Sequence, residues 1–139
     1  MIGDRYRQVI GVIALGAWAA SLALPVETEC EFSHPNPGYL LAISGWLGAL
    51  VGQFGWYANP FMLWQIGRLL RGQPPGTVGS PIALALALSA FLWKTTPIAP
   101  HALTTMCERH VGFYVWIACA VLLAAVALCE KTIEEWTGS

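Results

Sequence analysis

Charge is what this sequence has least of: 11% of its 139 residues are Asp, Glu, Lys or Arg, where a soluble domain carries about a quarter. Seven basic residues without a basic cluster do not make the electrostatic footprint of a nucleic-acid binder, so no nucleic acid is expected as a partner. There is no glycine-rich phosphate loop, no His-Glu-x-x-His and no nucleophile elbow, which removes the motif-readable enzyme classes. Neither an enzymatic activity nor a cofactor is expected.

What is present is apolar sequence in long runs, 56% hydrophobic overall. Residues 8–26, 72–93 and 111–129 carry no acidic or basic side chain, and 32–67 runs longer still; a bilayer crossing takes about 20 residues. These runs predict an all-α integral membrane four-helix bundle, one transmembrane domain over 1–139. Its spans are read as 8–26, 39–60 with an extension to 71, 80–97 and 111–130. Arg5, Arg7, Arg68, Arg71 and Lys131 fall on one side of that topology, and only Lys94 and Arg109 on the other. Short basic loops stay cytoplasmic, so both termini are expected inside. The first span has a basic start like a secretory signal, but Pro25 follows closely and cleavage would leave an odd number of crossings; it is read as a permanent helix.

The second span is unusual. Ser44, Gly48 and Gly52 recur every four residues, with Gly45 and Gly55 near the same stripe. On a helix this is a nearly bare face, and small residues let membrane helices approach closely. The stripe is read as a packing seam, internal to the bundle or against a second copy or protein partner. Asn59-Pro60 breaks the pattern, because proline lacks an amide hydrogen and clashes one turn back. Either Asn59 caps and Pro60 opens a new interfacial helix, or one helix from 39 to 71 runs through a kink at Pro60. The kinked helix is favoured, although about 33 residues at ~1.5 Å each overrun a ~30 Å hydrocarbon core. Gln53 and Asn59 are the most polar groups at membrane depth. Helix-helix hydrogen bonds are the simpler role for both; contact with a ligand or partner is the alternative.

"SLALP", "GWLG", "WYANP" and "GFYVWIAC" follow one another along the chain. In this order they resemble an uncharacterised family of small bacterial four-helix inner-membrane proteins with a Gly-Trp start and a Trp-x-Ala-Asn-Pro core. The resemblance implies a fold and a location in the bacterial inner membrane, and carries no activity.

The outer loops, 26–38 and 95–110, hold one cysteine each, Cys30 and Cys107. In an oxidising compartment a disulfide between them would tie the first helix pair to the second and stabilise by roughly 2–5 kcal/mol. A weaker alternative is a metal set of Cys30, His34, Cys107 and His110, with His101 and Glu108 nearby. Four-helix quinone-linked disulfide-forming enzymes are similar in outline but need a cysteine pair in each outer loop. Cys119 and Cys129 are read as small packing residues. "ETECEF" places Glu27, Glu29 and Glu31 around Cys30, a candidate outer recognition surface for a basic partner. "EKTIEEWTGS" is read as a solvated tail that extends the fourth helix.

No acidic or basic residue and no histidine lies mid-span, which weighs against proton-coupled transport and intramembrane hydrolysis. The function expected is therefore non-enzymatic: an inner-membrane interaction protein working by helix packing and outer-loop recognition. Immunity proteins against pore-forming toxins resemble it in size and topology. The alternatives are a small oligomeric transport or permeation module, or a metal- or redox-linked membrane protein using the outer Cys and His residues.

Overall fold

A computed structural model describes residues 3–31, 34–99 and 102–138, with the backbone alone at 96–99 and 102–104. The chain is mostly helical. Helix α1 (Asp4–Ala23) carries Asp4 in its first turn, where the helix dipole favours an anion. It ends at Leu24, whose extended backbone is the conformation a residue before proline prefers. Strands β1 (Pro25–Glu29) and β2 (Pro35–Pro37) follow, then a short helix α2 (Gly38–Ser44) that tightens into a 3₁₀ segment, Gly45–Val51. After a second 3₁₀ turn, Gly55–Tyr57, come α3 (Ala58–Leu70), α4 (Gly79–Ser89) with a 3₁₀ end at Ala90–Leu92, strands β3 (Thr95–Ala99) and β4 (Ala102–Arg109), and α5 (Val111–Thr137).

Helices α1, α3, α4 and α5 form a ring in which α1 touches α3 and α5, and α4 touches the same two. Inside it Ala14, Ala58, Met62, Ile66, Leu69, Ala83, Ala87, Ala120 and Leu123 are almost wholly buried. The alanines hold the backbones close, and Met62, Ile66, Leu69 and Leu123 fill the middle. α1 and α5 are long and apolar enough to cross a membrane. The acidic tail extends α5 to Thr137, as its sequence suggested.

At one end of the ring Arg7 donates to Glu130 at 2.9 and 2.8 Å and to the Gly72 carbonyl at 3.1 Å. This joins the start of α1, the turn after α3 and the end of the apolar part of α5. The opposite end is covered by an antiparallel sheet of order β2-β1-β4-β3.

The all-α expectation holds, the chain being mostly helical, with a small sheet added where the two loops pair as strands. Two further expectations are corrected here. The third span does not stay helical to 97, because β3 begins at Thr95. The second span is not one long kinked helix; it is broken, as the other reading had it, and a new helix starts at Ala58 just ahead of Pro60. The chain turns at Gly52, whose φ of 76° is open chiefly to glycine. Pro60 instead lies in the first turn of α3, where a missing N–H costs no intrahelical bond. The new helix is also not interfacial, since Met62, Gln65, Ile66 and Leu69 bury one face in the ring.

Candidate functional site

The polar and aromatic residues of the second span gather at the sheet-capped end. α3 begins at Ala58, and Asn59 sits in its first turn with the side chain between α1 and α5. Its Oδ1 accepts from Trp18 Nε1 and from Trp116 Nε1, both at 2.9 Å, while Nδ2 donates to the Trp56 carbonyl at 2.9 Å. One amide thus joins α1 and α5 to α3 and bonds a carbonyl of the 3₁₀ turn just ahead of its own helix. Sequence reasoning singled out Asn59 as a kink and contact residue; the two tryptophans it clamps were not expected.

Above the start of α3, residues 38–57 form a strap from the end of α1 to the end of α4. The glycines explain its closeness. A side chain at Gly38 would meet the Ser21 carbonyl, one at Gly45 the Trp56 indole, one at Gly48 the Gln53 carbonyl at 2.6 Å, and one at Gly55 the Trp93 ring at 2.7 Å. Trp56 Nε1 donates to Ala42 at 2.9 Å across the same fold. The seam over Ser44, Gly45, Gly48, Gly52 and Gly55 is therefore not one helix stripe. Gly45, Gly48 and Gly55 face residues of the same chain, and Gly52 makes the turn. The Ser44 hydroxyl donates back to the Leu40 carbonyl. Behind the strap lies a cavity of about 60 Å³, lined by Trp56, Trp93, Phe113 and Trp116 among others, with Asn59 at its wall. It is too small for an aromatic ring, since a cavity of about 150 Å³ is what admits benzene.

Gln53, the second polar residue, donates through Nε2 to Thr95 O at 2.8 Å and to Thr95 Oγ1 at 2.9 Å. It pins the strap to the start of β3.

The sheet brings the outer-loop residues together. Cys30 and Cys107 form a disulfide with Cα atoms 5.0 Å apart, joining the end of β1 to β4. The metal set is overturned by this bond, because both thiolates are consumed. His110 Nε2 is hydrogen-bonded to Thr28 Oγ1, His34 is exposed, and His101 lies outside the described residues. No cluster of potential metal ligands occurs among the described residues.

The acidic recognition surface is also corrected. Glu27 and Glu29 are only 2% and 7% exposed, because alternate strand positions share a face and this one turns inward. Glu29 accepts from Asn36 Nδ2 at 2.8 Å, and Glu27 stands opposite Arg109 in the β1–β4 register. Glu31 alone of the three is exposed.

Arg109, which sequence reasoning used only for charge counting, is a structural centre. Its Nη2 donates to the carbonyls of Ala90, Phe91 and Trp93 at 3.1, 2.9 and 2.8 Å, capping the end of α4 where carbonyls lack partners. The guanidinium lies 5.7 and 5.2 Å from the Phe91 and Phe113 ring centres, within cation–π range. Its placement beside the start of the last apolar run was the available signal.

Outside these contacts the strap presents large apolar side chains: Ile43, Trp46 and Leu50 are 70%, 53% and 66% exposed. Set against family models, curated proteins and solved structures, the chain matches none.

Proposed function

We propose that this chain is a multi-pass protein of the bacterial inner membrane, both termini inside, that works without catalysis by recognising a protein partner through its outer end. The observation that carries this reading is a division of labour among side chains. The strongly polar groups of the bundle, Arg7, Asn59, Gln65, Arg109 and Glu130, are tied into the scaffold, while the strap turns Ile43, Trp46 and Leu50 outward beside the disulfide-capped sheet.

Several features support the membrane part. Exposed large apolar residues occur on all four bundle helices, among them Val12, Ile13, Trp64, Ile82 and Leu128; a surface of this kind suits lipid rather than water. Arg7, Arg68 and Lys131 belong to the end opposite the disulfide, in accord with a basic inner face and an oxidising outer one. The resemblance to small four-helix inner-membrane proteins, and to toxin immunity proteins in size and topology, agrees with this reading. The permeation alternative is less well supported, because Met62, Ile66, Leu69 and Leu123 fill the middle of the ring where a path would need polar lining.

The test is in-cell crosslinking from a photoreactive residue at Trp46 or Leu50, both exposed, followed by mass spectrometry. A distinct protein captured from both positions, and lost when the disulfide is removed, is the expected result. Adducts to lipid or to the chain itself alone would overturn the partner-recognition reading. Sodium carbonate extraction checks the membrane assignment separately, with the chain expected to stay in the pellet.

A further inference from the structure

On the membrane reading above, the lengths of the helices fix the depth of the strap. Arg7, Gly72 and Glu130 meet at the inner end and mark one level across the bundle. From that level α5 rises to Val111 over about 20 residues, or ~29 Å at ~1.5 Å each, close to the ~30 Å of a hydrocarbon core. α3 has 13 residues and climbs only ~20 Å. Ala58, where α3 begins, therefore lies ~10 Å below Val111. The strap fills that step: Gly45 packs on Trp56 and Gly55 on Trp93 and Ala90, while Gln53 reaches Thr95 at the start of β3. Its outward side chains then sit beside the acyl chains of the outer leaflet, below the sheet.

The make-up of this face agrees with that depth. Leu40, Ile43, Trp46, Leu50, Val51 and Phe54 are exposed, and residues 32–67 carry no acidic or basic side chain. An interface with a water-soluble protein has a polar rim, and this face offers no charge to one. Acyl chains alone do not suit it either. The chain turns at Gly52, and the amides of Gly52 and Gln53 bond back to Ala49 and Gly48. Among the described residues no donor reaches the carbonyls of Leu50, Val51 and Gly52. Irregular backbone at membrane depth is tolerated only where protein covers it or where it lines a water-filled cavity.

We infer that the strap is a lateral docking face for a membrane-spanning helix of the partner, which meets it inside the bilayer. That helix is apolar where it packs on Ile43, Trp46 and Leu50, and carries a side-chain hydrogen-bond donor opposite the Gly52 turn, where the free carbonyls lie. The inference rests on the membrane and partner readings above and names the class of partner that they leave open.

Two measurements test it. The full chain, with Cys129→Ser to remove its exposed free thiol, is reconstituted in lipid vesicles that hold no other protein. Ile43→Cys and Leu50→Cys, both at exposed positions, are then treated with a membrane-impermeant maleimide, with the exposed Lys94→Cys as reference. A thiol among acyl chains stays protonated and unreactive, so both strap cysteines are expected to label about tenfold more slowly than the reference, or slower still. Labelling at the reference rate would put the strap in water and overturn the inference, whatever the strap binds. In cells, a photoreactive residue at Leu50 is crosslinked and its attachment point sequenced. Attachment within an apolar run of about 20 residues in another protein is the expected result. Attachment in a water-soluble domain overturns the inference and leaves the partner reading standing, whereas capture of no other protein overturns both. Release of the chain on carbonate extraction overturns the membrane reading and the inference with it.

Discussion

Arg7 and Glu130, separated by 123 residues, meet through two parallel hydrogen bonds of 2.9 and 2.8 Å, and the same guanidinium reaches the Gly72 carbonyl. The pair is largely shielded, with the side chains 17% and 7% exposed. Removing one partner strands the other, which in such settings costs about 3–5 kcal/mol. Glu130→Ala is therefore expected to lower the unfolding midpoint in detergent sharply. The double variant Arg7→Met with Glu130→Leu is expected to recover much of the loss, because no charge is then left buried. A double variant no more stable than either single one would show that the pair contributes something beyond mutual compensation.

Asn59 offers a second test of coupling. Asn59→Leu keeps volume but leaves the indole N–H groups of Trp18 and Trp116 without their acceptor. Each stranded donor costs about 1–3 kcal/mol. Trp18→Phe and Trp116→Phe remove those donors, so each is expected to be less harmful in the Asn59→Leu background than alone, a non-additivity readable by denaturant unfolding. Strict additivity would mean that the three side chains do not act as one unit.

The disulfide predicts a different kind of non-additivity. Cys30→Ser, Cys107→Ser and the double variant are expected to lose the same stability, about 2–5 kcal/mol for a bridge closing a long loop. Each should also show one mobility on gels whether or not reductant is present, where the unaltered chain shifts. Unequal effects of the two single substitutions would point to a role for one cysteine outside the bond.

How much of this was legible differs from residue to residue. The apolar runs and the pairing of Cys30 with Cys107 were readable, because each outer loop holds one cysteine and the topology sends both loops to one side. The sheet was not, because Pro25, Pro35, Pro37 and Pro97 sit inside its strands, and proline ordinarily argues against a strand. Ser44, Gly48 and Gly52 looked like a stripe because a helix turns about 100° per residue. The 3₁₀ geometry of Gly45–Val51 turns closer to 120°, so positions four apart no longer share a face. Asn59 was recognised as polar and important, but its partners lie 41 and 57 residues away, and no local pattern names them. Glu27 and Glu29 were misread for want of the strand: once β1 is known, period two puts both on one face.

The glycines supply the last prediction, and it separates close contact from backbone freedom. A Cβ at Gly38 would run into the Ser21 carbonyl and lie 2.9 Å from Leu22 Cα; one at Gly112 would be 2.7 Å from the Pro25 carbonyl. Backbone atoms cannot swing aside, so Gly38→Ala and Gly112→Ala force elements apart, and overpacking of this kind costs about 1–3 kcal/mol. Gly45→Ala meets a side chain, the Trp56 indole, which can shift only by giving up its bond to Ala42; an intermediate loss is expected. Gly16 in α1 and Gly67 in α3 have nothing within 4 Å of an added Cβ, and alanine there should stabilise by roughly 0.5–1 kcal/mol through helix propensity. Thermal unfolding of the five alanine variants in one detergent should therefore rank Gly38 and Gly112 lowest, Gly45 between, and Gly16 and Gly67 at or above the unaltered chain. If Gly16→Ala proved as damaging as Gly38→Ala, the small face of α1 would be packed against a second molecule, and the glycines would have to be read as an intermolecular surface rather than as the fit of the strap to its own bundle.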